Sequence, residues 1–175
     1  DIRTGKVVER IRIPDKLGIG YFFSETHDFK AHYIPTDLQP THVNAAVPGK
    51  NALLVTLWIP GKVVEIFDDG TFPEVVSGFR GCHGARYHND NKEIMLTDST
   101  MGLVWFFDSS DGRVIRRVDF ESAWLHDAEI IDDGVLVGAL GDKNELRLID
   151  SLTGEVYWAQ ECSLLGESLM FVNSW

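Results

Sequence analysis

Leu103-Val104-Trp105-Phe106-Phe107-Asp108, closed by Ser109-Ser110-Asp111-Gly112, is an apolar run ending in an acid and a glycine turn. It matches Val63-Val64-Glu65-Ile66-Phe67-Asp68-Asp69-Gly70 before it and Leu146-Arg147-Leu148-Ile149-Asp150-Ser151-Leu152-Thr153-Gly154 after it. The closing glycines Gly70, Gly112 and Gly154 are spaced by 42 and 42 residues. Short runs of Val, Ile, Leu and Phe bounded by Gly, Asp, Asn and Ser read as strands joined by tight turns. A constant period near 40 residues marks an array of repeated units rather than one continuous sheet.

Working outward, each unit holds four such runs. The first follows a histidine, and the second is the apolar run Leu53 to Ile59, Ile94 to Thr97 or Val135 to Leu140. The third ends in Asp, and the fourth follows the glycine turn at Phe72 to Val76, Arg113 to Val118 or Glu155 to Trp158. No long amphipathic helical pattern interrupts them, so the expected class is all-β. The expected fold is a β-propeller fragment of about three four-stranded blades plus flanking strands. The blades are expected over 40–78, 79–120 and 121–161, with 1–14 as the last strand of a preceding blade and 162–175 as the first strand of a following one. From Gly5 to Gly70 is 65 residues, about 23 more than one repeat. The surplus falls in an insertion over 15–39, expected as a flap near one channel mouth and carrying His27, Asp28 and His32. Three blades do not close a ring of the usual four to eight, so the missing blades are expected from the parent chain or another chain.

The composition agrees with a globular domain. The chain has 175 residues, 44% of them hydrophobic and 25% charged, which excludes disorder and collagen. Sixteen Lys and Arg against 27 Asp and Glu give a net charge of -11 without a basic run, which argues against nucleic acid as a partner. No apolar stretch approaches the roughly 18 residues of a membrane span. Two cysteines, Cys82 and Cys162, make neither a disulfide framework nor a paired-cysteine zinc pattern. There is no phosphate loop and no Gly-x-Ser-x-Gly nucleophile motif, so no catalytic residue is assigned.

Aligning the units on their first strands stacks Thr41-His42-Val43-Asn44 over Cys82-His83-Gly84-Ala85, Leu125-His126-Asp127-Ala128 and Gly166-Glu167-Ser168-Leu169. The column is His42, His83, His126 and Glu167, with spacings of 41, 43 and 41. The first strand of a blade lies nearest the axis, so this column is a candidate metal site whose donor set suits zinc or iron. Neutral imidazoles are the ligands, so metal affinity is expected to weaken as pH falls through the ordinary histidine range near 6.5. The competing reading is structural: His83 and His126 bond within their own blades to Asp98 and Asp142, as the histidines of WD repeats do. Cys82 is either a soft ligand beside His83 or a buried, inert thiol. His88 lies in a turn-like stretch, Arg86 and Tyr87 face the channel or the next blade, and Trp58, Trp105, Trp124 and Trp158 are expected between blades.

Asp150-Ser151-Leu152-Thr153-Gly154-Glu155-Val156-Tyr157-Trp158 resembles the Asp-x-x-Thr-Gly-x-x-x-Trp motif of quinoprotein-like and arylsulfotransferase-like propellers. The other units keep only the Asp and Gly, so the resemblance implies the fold and no quinone. Thr41-His42-Val43-Asn44-Ala45-Ala46 and Cys82-His83-Gly84-Ala85, with the histidine-bearing insertion, resemble bacterial periplasmic zinc-binding propeller metallochaperones. That resemblance implies a zinc-binding protein or metallochaperone in an extracytoplasmic compartment. The alternatives are a metal-dependent propeller enzyme, of the lyase or iron oxygenase type, and a metal-free interaction propeller with structural histidines.

Overall fold

A computed structural model describes residues 38–49, 51–132 and 134–162, together with 3–7 and the isolated positions 11, 13, 18, 31 and 35. The insertion expected over 15–39, the leading strand over 1–14 and Glu167 fall largely or wholly outside the described residues.

Among the described residues, twelve strands form three separate four-stranded antiparallel sheets, each in simple chain order. The first blade holds β1 (Val43–Pro48), β2 (Ala52–Leu57), β3 (Lys62–Phe67) and β4 (Glu74–Ser77). The second holds β5 (Cys82–His88), β6 (Glu93–Asp98), β7 (Leu103–Asp108) and β8 (Val114–Asp119). The third holds β9 (Leu125–Asp132), β10 (Val135–Leu140), β11 (Glu145–Asp150) and β12 (Val156–Glu161). No helix among the described residues is long and apolar enough to cross a membrane.

The apolar runs of β2, β6 and β10 are buried through consecutive residues. That pattern belongs to strands covered on both faces: β6 lies between two described blades, while β2 and β10 each have one described blade as neighbour. Alternation then sorts the side chains. Leu54 and Val63 join Val76, Cys82, Ala85, Ile94, Leu96 and Phe107 in a core between the first two blades. Val55, Leu57, Val64 and Ile66 form a separate cluster on the opposite face, as the two-residue side-chain period requires. Between the second and third blades, Phe106 and Phe120 pack with Met95, Val104, Leu125, Leu136 and Ile149.

Backbone geometry explains the repeated glycines. Gly70, Gly112 and Gly154 all have φ between 70° and 78°, in the left-handed region where a side chain is strained. In the second and third blades the preceding acid completes the turn: Asp108 Oδ1 accepts from Ser110 N at 2.9 Å, and Asp150 Oδ1 accepts from Leu152 N and Thr153 N at 2.8 and 2.7 Å. The first blade has a shorter turn, in which Phe67 rather than an acid occupies the matching backbone position, its N–H donating to Thr71 O as that of Asp108 donates to Arg113 O.

Polar latches join the inner strands across the blades. Thr56, fully buried, accepts a hydrogen bond from Ala85 N at 3.1 Å. On β5, Tyr87 reaches back to donate to Glu65 of the first blade, and Arg86 reaches forward to the third.

Candidate functional site

His42, His83 and His126 all stand at the entrance of an inner strand: one residue before β1, and at the second position of β5 and of β9. Equivalent positions of successive blades therefore place them on the same end of the array. His83 and His126 are brought together, with ring centres 5.0 Å apart and planes tilted by 41°. His42 is set against Trp58, whose ring centre is 5.4 Å away, and Trp58 lies 6.5 Å from His83. Trp124 completes the wall, 5.8 Å from His83 and 6.3 Å from His126. Among the described residues no three His, Cys, Asp or Glu side chains close on a point that could hold a metal ion. Glu167 lies outside those residues.

Each imidazole is oriented by a bond at Nδ1. Trp124 Nε1 donates to His126 Nδ1 at 3.2 Å. An indole nitrogen is a donor only, so the neutral His126 ring carries its proton on Nε2. His42 Nδ1 lies 2.8 Å from Gln39 Oε1, an acceptor, which places the His42 proton on Nδ1 and leaves Nε2 with its lone pair. His83 Nδ1 bonds to Ser99 Oγ, a fully buried hydroxyl in the short 3-10 turn after β6. A hydroxyl gives or accepts, so His83 presents either form at Nε2.

The electrostatics favour the neutral form of His83 and His126. Burial, reinforced by the neighbouring His126 imidazole, pushes His83 down to about 4, with Asp127 opposing. Burial also lowers His126, again against Asp127. Asp127 is itself engaged by Arg86, whose Nη1 and Nη2 reach Oδ1 and Oδ2 at 3.2 and 2.8 Å. Arg86 Nε meets Glu129 Oε2 at 3.1 Å, and Nη1 also donates to the Ala128 carbonyl. Two carboxylates of β9 thus share one guanidinium, and of the two it is Asp127 that acts on the His83 and His126 rings. Gly84 makes the approach possible: a Cβ there would lie 2.9 Å from Asp127 Oδ1 and 3.3 Å from Arg86 Nη1.

His83 does bond within its own blade, but the expected partners Asp98 and Asp142 are not the ones found. His83 bonds to Ser99 rather than Asp98, whose Oδ1 is buried without a partner. Asp142 accepts from Ser122 Oγ at 2.5 Å and Ala123 N at 2.9 Å. Cys82 is the inert alternative: its buried thiol donates toward Leu57 O at 3.5 Å, and burial first, then Asp98, pushes its pKa up to about 12. His88 closes β5 at the far end, against Phe106 with ring centres 6.3 Å apart. Spacing alone missed Ser99 and the Trp58–Trp124 frame. A legible trace of the Arg86 clip does exist, since Arg86 and Glu129 each stand three residues after a column histidine.

Three stacked, separately paired four-stranded sheets with a core between each pair define blades of a β-propeller, and solved structures bear this out. A WD40 β-propeller domain of Doa1 superposes with TM-score 0.54 at 13% identity, covering 67% of this chain and 38% of that one. A catalytically inactive virginiamycin B lyase variant from Staphylococcus aureus with quinupristin gives 0.58 at 15%, covering 72% and 43%. The periplasmic gluconolactonase of Pseudomonas aeruginosa gives 0.55 at 15%, covering 75% and 43%. The chain thus spans about two fifths of the length of these propellers, and at such identities the likeness is one of fold. No family model matches the sequence, and no curated protein matches it significantly. The metallochaperone resemblance of the motifs around His42 and His83 receives no support from these likenesses.

Proposed function

We propose that the histidine end of these blades is an axial ligand site and that its ligand is a divalent metal ion, zinc or iron, with blades from outside this chain completing the ring. The observation that carries the reading is the His83–His126 pair. Two imidazoles bound to one tetrahedral ion at 2.0 to 2.1 Å have ring centres about 5 Å apart, and this pair stands at 5.0 Å. His42 is the third donor in kind, with its Nε2 lone pair free of the Gln39 bond. The acidic surroundings, and Asp127 in particular, favour a cation there.

One observation favours a second reading, an enzyme that uses the imidazoles directly. The Trp124 bond gives His126 an Nε2–H donor while Gln39 gives His42 an Nε2 acceptor, so the wall offers a hydrogen-bond donor that could polarise a substrate oxygen and a candidate general base, in fixed tautomers. Two of the fold neighbours carry enzyme names, a lyase and a lactonase. An ion at His126 must compete with the Trp124 N–H for the Nδ1 lone pair, or meet the ring turned over.

Elemental analysis of protein purified without chelator, followed by zinc and ferrous titrations of the stripped protein, separates the two. The metal reading expects about one equivalent per chain, lost in both His83→Ala and His126→Ala. Absence of stoichiometric metal, or full retention in both variants, overturns it.

A further inference from the structure

At the end of the array opposite the histidines, the first and second blades part around a cleft of about 230 Å³. Its position follows from the chain: the column histidines stand where inner strands begin, whereas Asn51 and Asn91 lie in the β1–β2 and β5–β6 turns where they end. Phe67 and Tyr87 contribute ring walls, Glu65 a carboxylate and Ser109 a hydroxyl. Glu65 Oε1 is taken by the Tyr87 hydroxyl, and Ser109 Oγ by Asn91 O at 2.6 Å. Glu65 Oε2 and the side-chain amides of Asn51 and Asn91 have no hydrogen-bond partner among the described residues.

That chemistry selects a ligand class. Among the described lining residues an anion meets a carboxylate and no cation. A metal ion finds one carboxylate, half engaged, and no three-ligand group among the described residues. An apolar molecule strands two amides and a carboxylate oxygen. A neutral ring bearing several hydroxyls answers every group: Oε2 accepts from hydroxyls, each amide both donates and accepts, and the aromatic rings meet the C–H faces. The volume is below the roughly 300 Å³ at which drug-sized pockets begin, which suits a single ring.

We infer that the cleft between the first two blades, lined by Asn51, Glu65, Tyr87 and Asn91, binds one neutral pyranose, free or at the end of a glycan. The site is separate from the histidine wall and does not depend on its ligand. Saturation-transfer NMR with methyl glucoside, galactoside and mannoside, and chemical-shift mapping on the wild-type protein, test it. The expected result is saturable binding of at least one pyranoside in the millimolar range, with the shifts centred on the Asn51 and Asn91 side-chain amides. Glu65→Gln, which keeps an acceptor for Tyr87, is expected to weaken binding at least about tenfold, the loss of a hydrogen bond to a charged group. Asn91→Gly, which keeps the left-handed backbone at φ 65°, is expected to weaken it about threefold to tenfold, the loss of one between neutral groups. Binding of the methyl glycosides identifies a free-sugar site, and binding only of oligosaccharides bearing the same terminal ring identifies a glycan terminus. No saturable binding of either up to about 50 mM, shifts centred elsewhere, or calcium binding at these residues in place of sugar overturns the inference.

Discussion

Replacing Arg86 by Met tests whether the second and third blades are held by the charge clip beside the histidines. The substitution keeps the apolar stem and removes the guanidinium that contacts Asp127 twice, Glu129 once and the Ala128 carbonyl. What remains is a pair of carboxylates on β9, 15% and 19% exposed, that have lost the guanidinium they shared. Removing one partner of a fully buried ion pair costs about 3–5 kcal/mol. Residual solvent at Arg86, whose side chain is 22% exposed, brings the expected loss down to about 2–3 kcal/mol. Urea unfolding measures it, and a cycle with Asp127→Asn isolates the pair. The bidentate contact should give a coupling of about 1–2 kcal/mol, larger than that of Arg86 with Glu129, and most of it should survive 0.5 M salt because little solvent reaches the contact. A coupling below about 0.5 kcal/mol, or one abolished by salt, marks an ordinary surface pair and refutes the clip.

Gly102→Ala should destabilise the protein by about 2–4 kcal/mol, read as a lowered urea midpoint. Its φ is +65°, and the new Cβ would lie 2.1 Å from the Ser122 carbonyl oxygen, where the connection to the third blade crosses. Acid should also destabilise the metal-free protein through His83: the unfolded chain takes up a proton near 6.5 and the folded ring only near 4, so stability falls as pH drops between those values and changes no further through this group below them. The NMR titration of the His83 ring checks this, and a midpoint at or above 6.5 contradicts it.

The fold was legible because propeller blades write their turns into the sequence. Gly70, Gly112 and Gly154 recur at 42 residues since each must take a left-handed φ that other residues resist, and the buried runs of β2, β6 and β10 are apolar on both faces. The shorter first turn escaped notice because Asp68 imitates the acid of the later repeats while Phe67 takes its backbone place. The histidine column was visible as a spacing, but spacing carries no side-chain direction. His83 and His126 meet, whereas Trp58 stands between His42 and His83 and Gln39 ties the His42 ring. The expected loss of metal affinity near pH 6.5 also shifts, since burial among other imidazoles keeps His83 neutral well below that range.

The proton and the proposed metal ion make opposite demands on the same pair of rings. A proton belongs to one imidazole, so protonating both His83 and His126 places two positive charges with their centres 5.0 Å apart in a partly buried wall, and this repulsion is one reason the His83 pKa is low. A divalent ion bound as proposed would sit between the rings and be shared, so the proximity that opposes double protonation would assist chelation. Asp127 lies close enough to favour positive charge on both rings, yet its own charge is drawn toward Arg86. Its help to a cation is therefore set by the clip. Arg86→Met, which frees Asp127, should raise the His83 pKa and strengthen metal binding together if the ion occupies the proposed place, whereas an ion bound elsewhere would leave the second quantity unchanged while the first still moved.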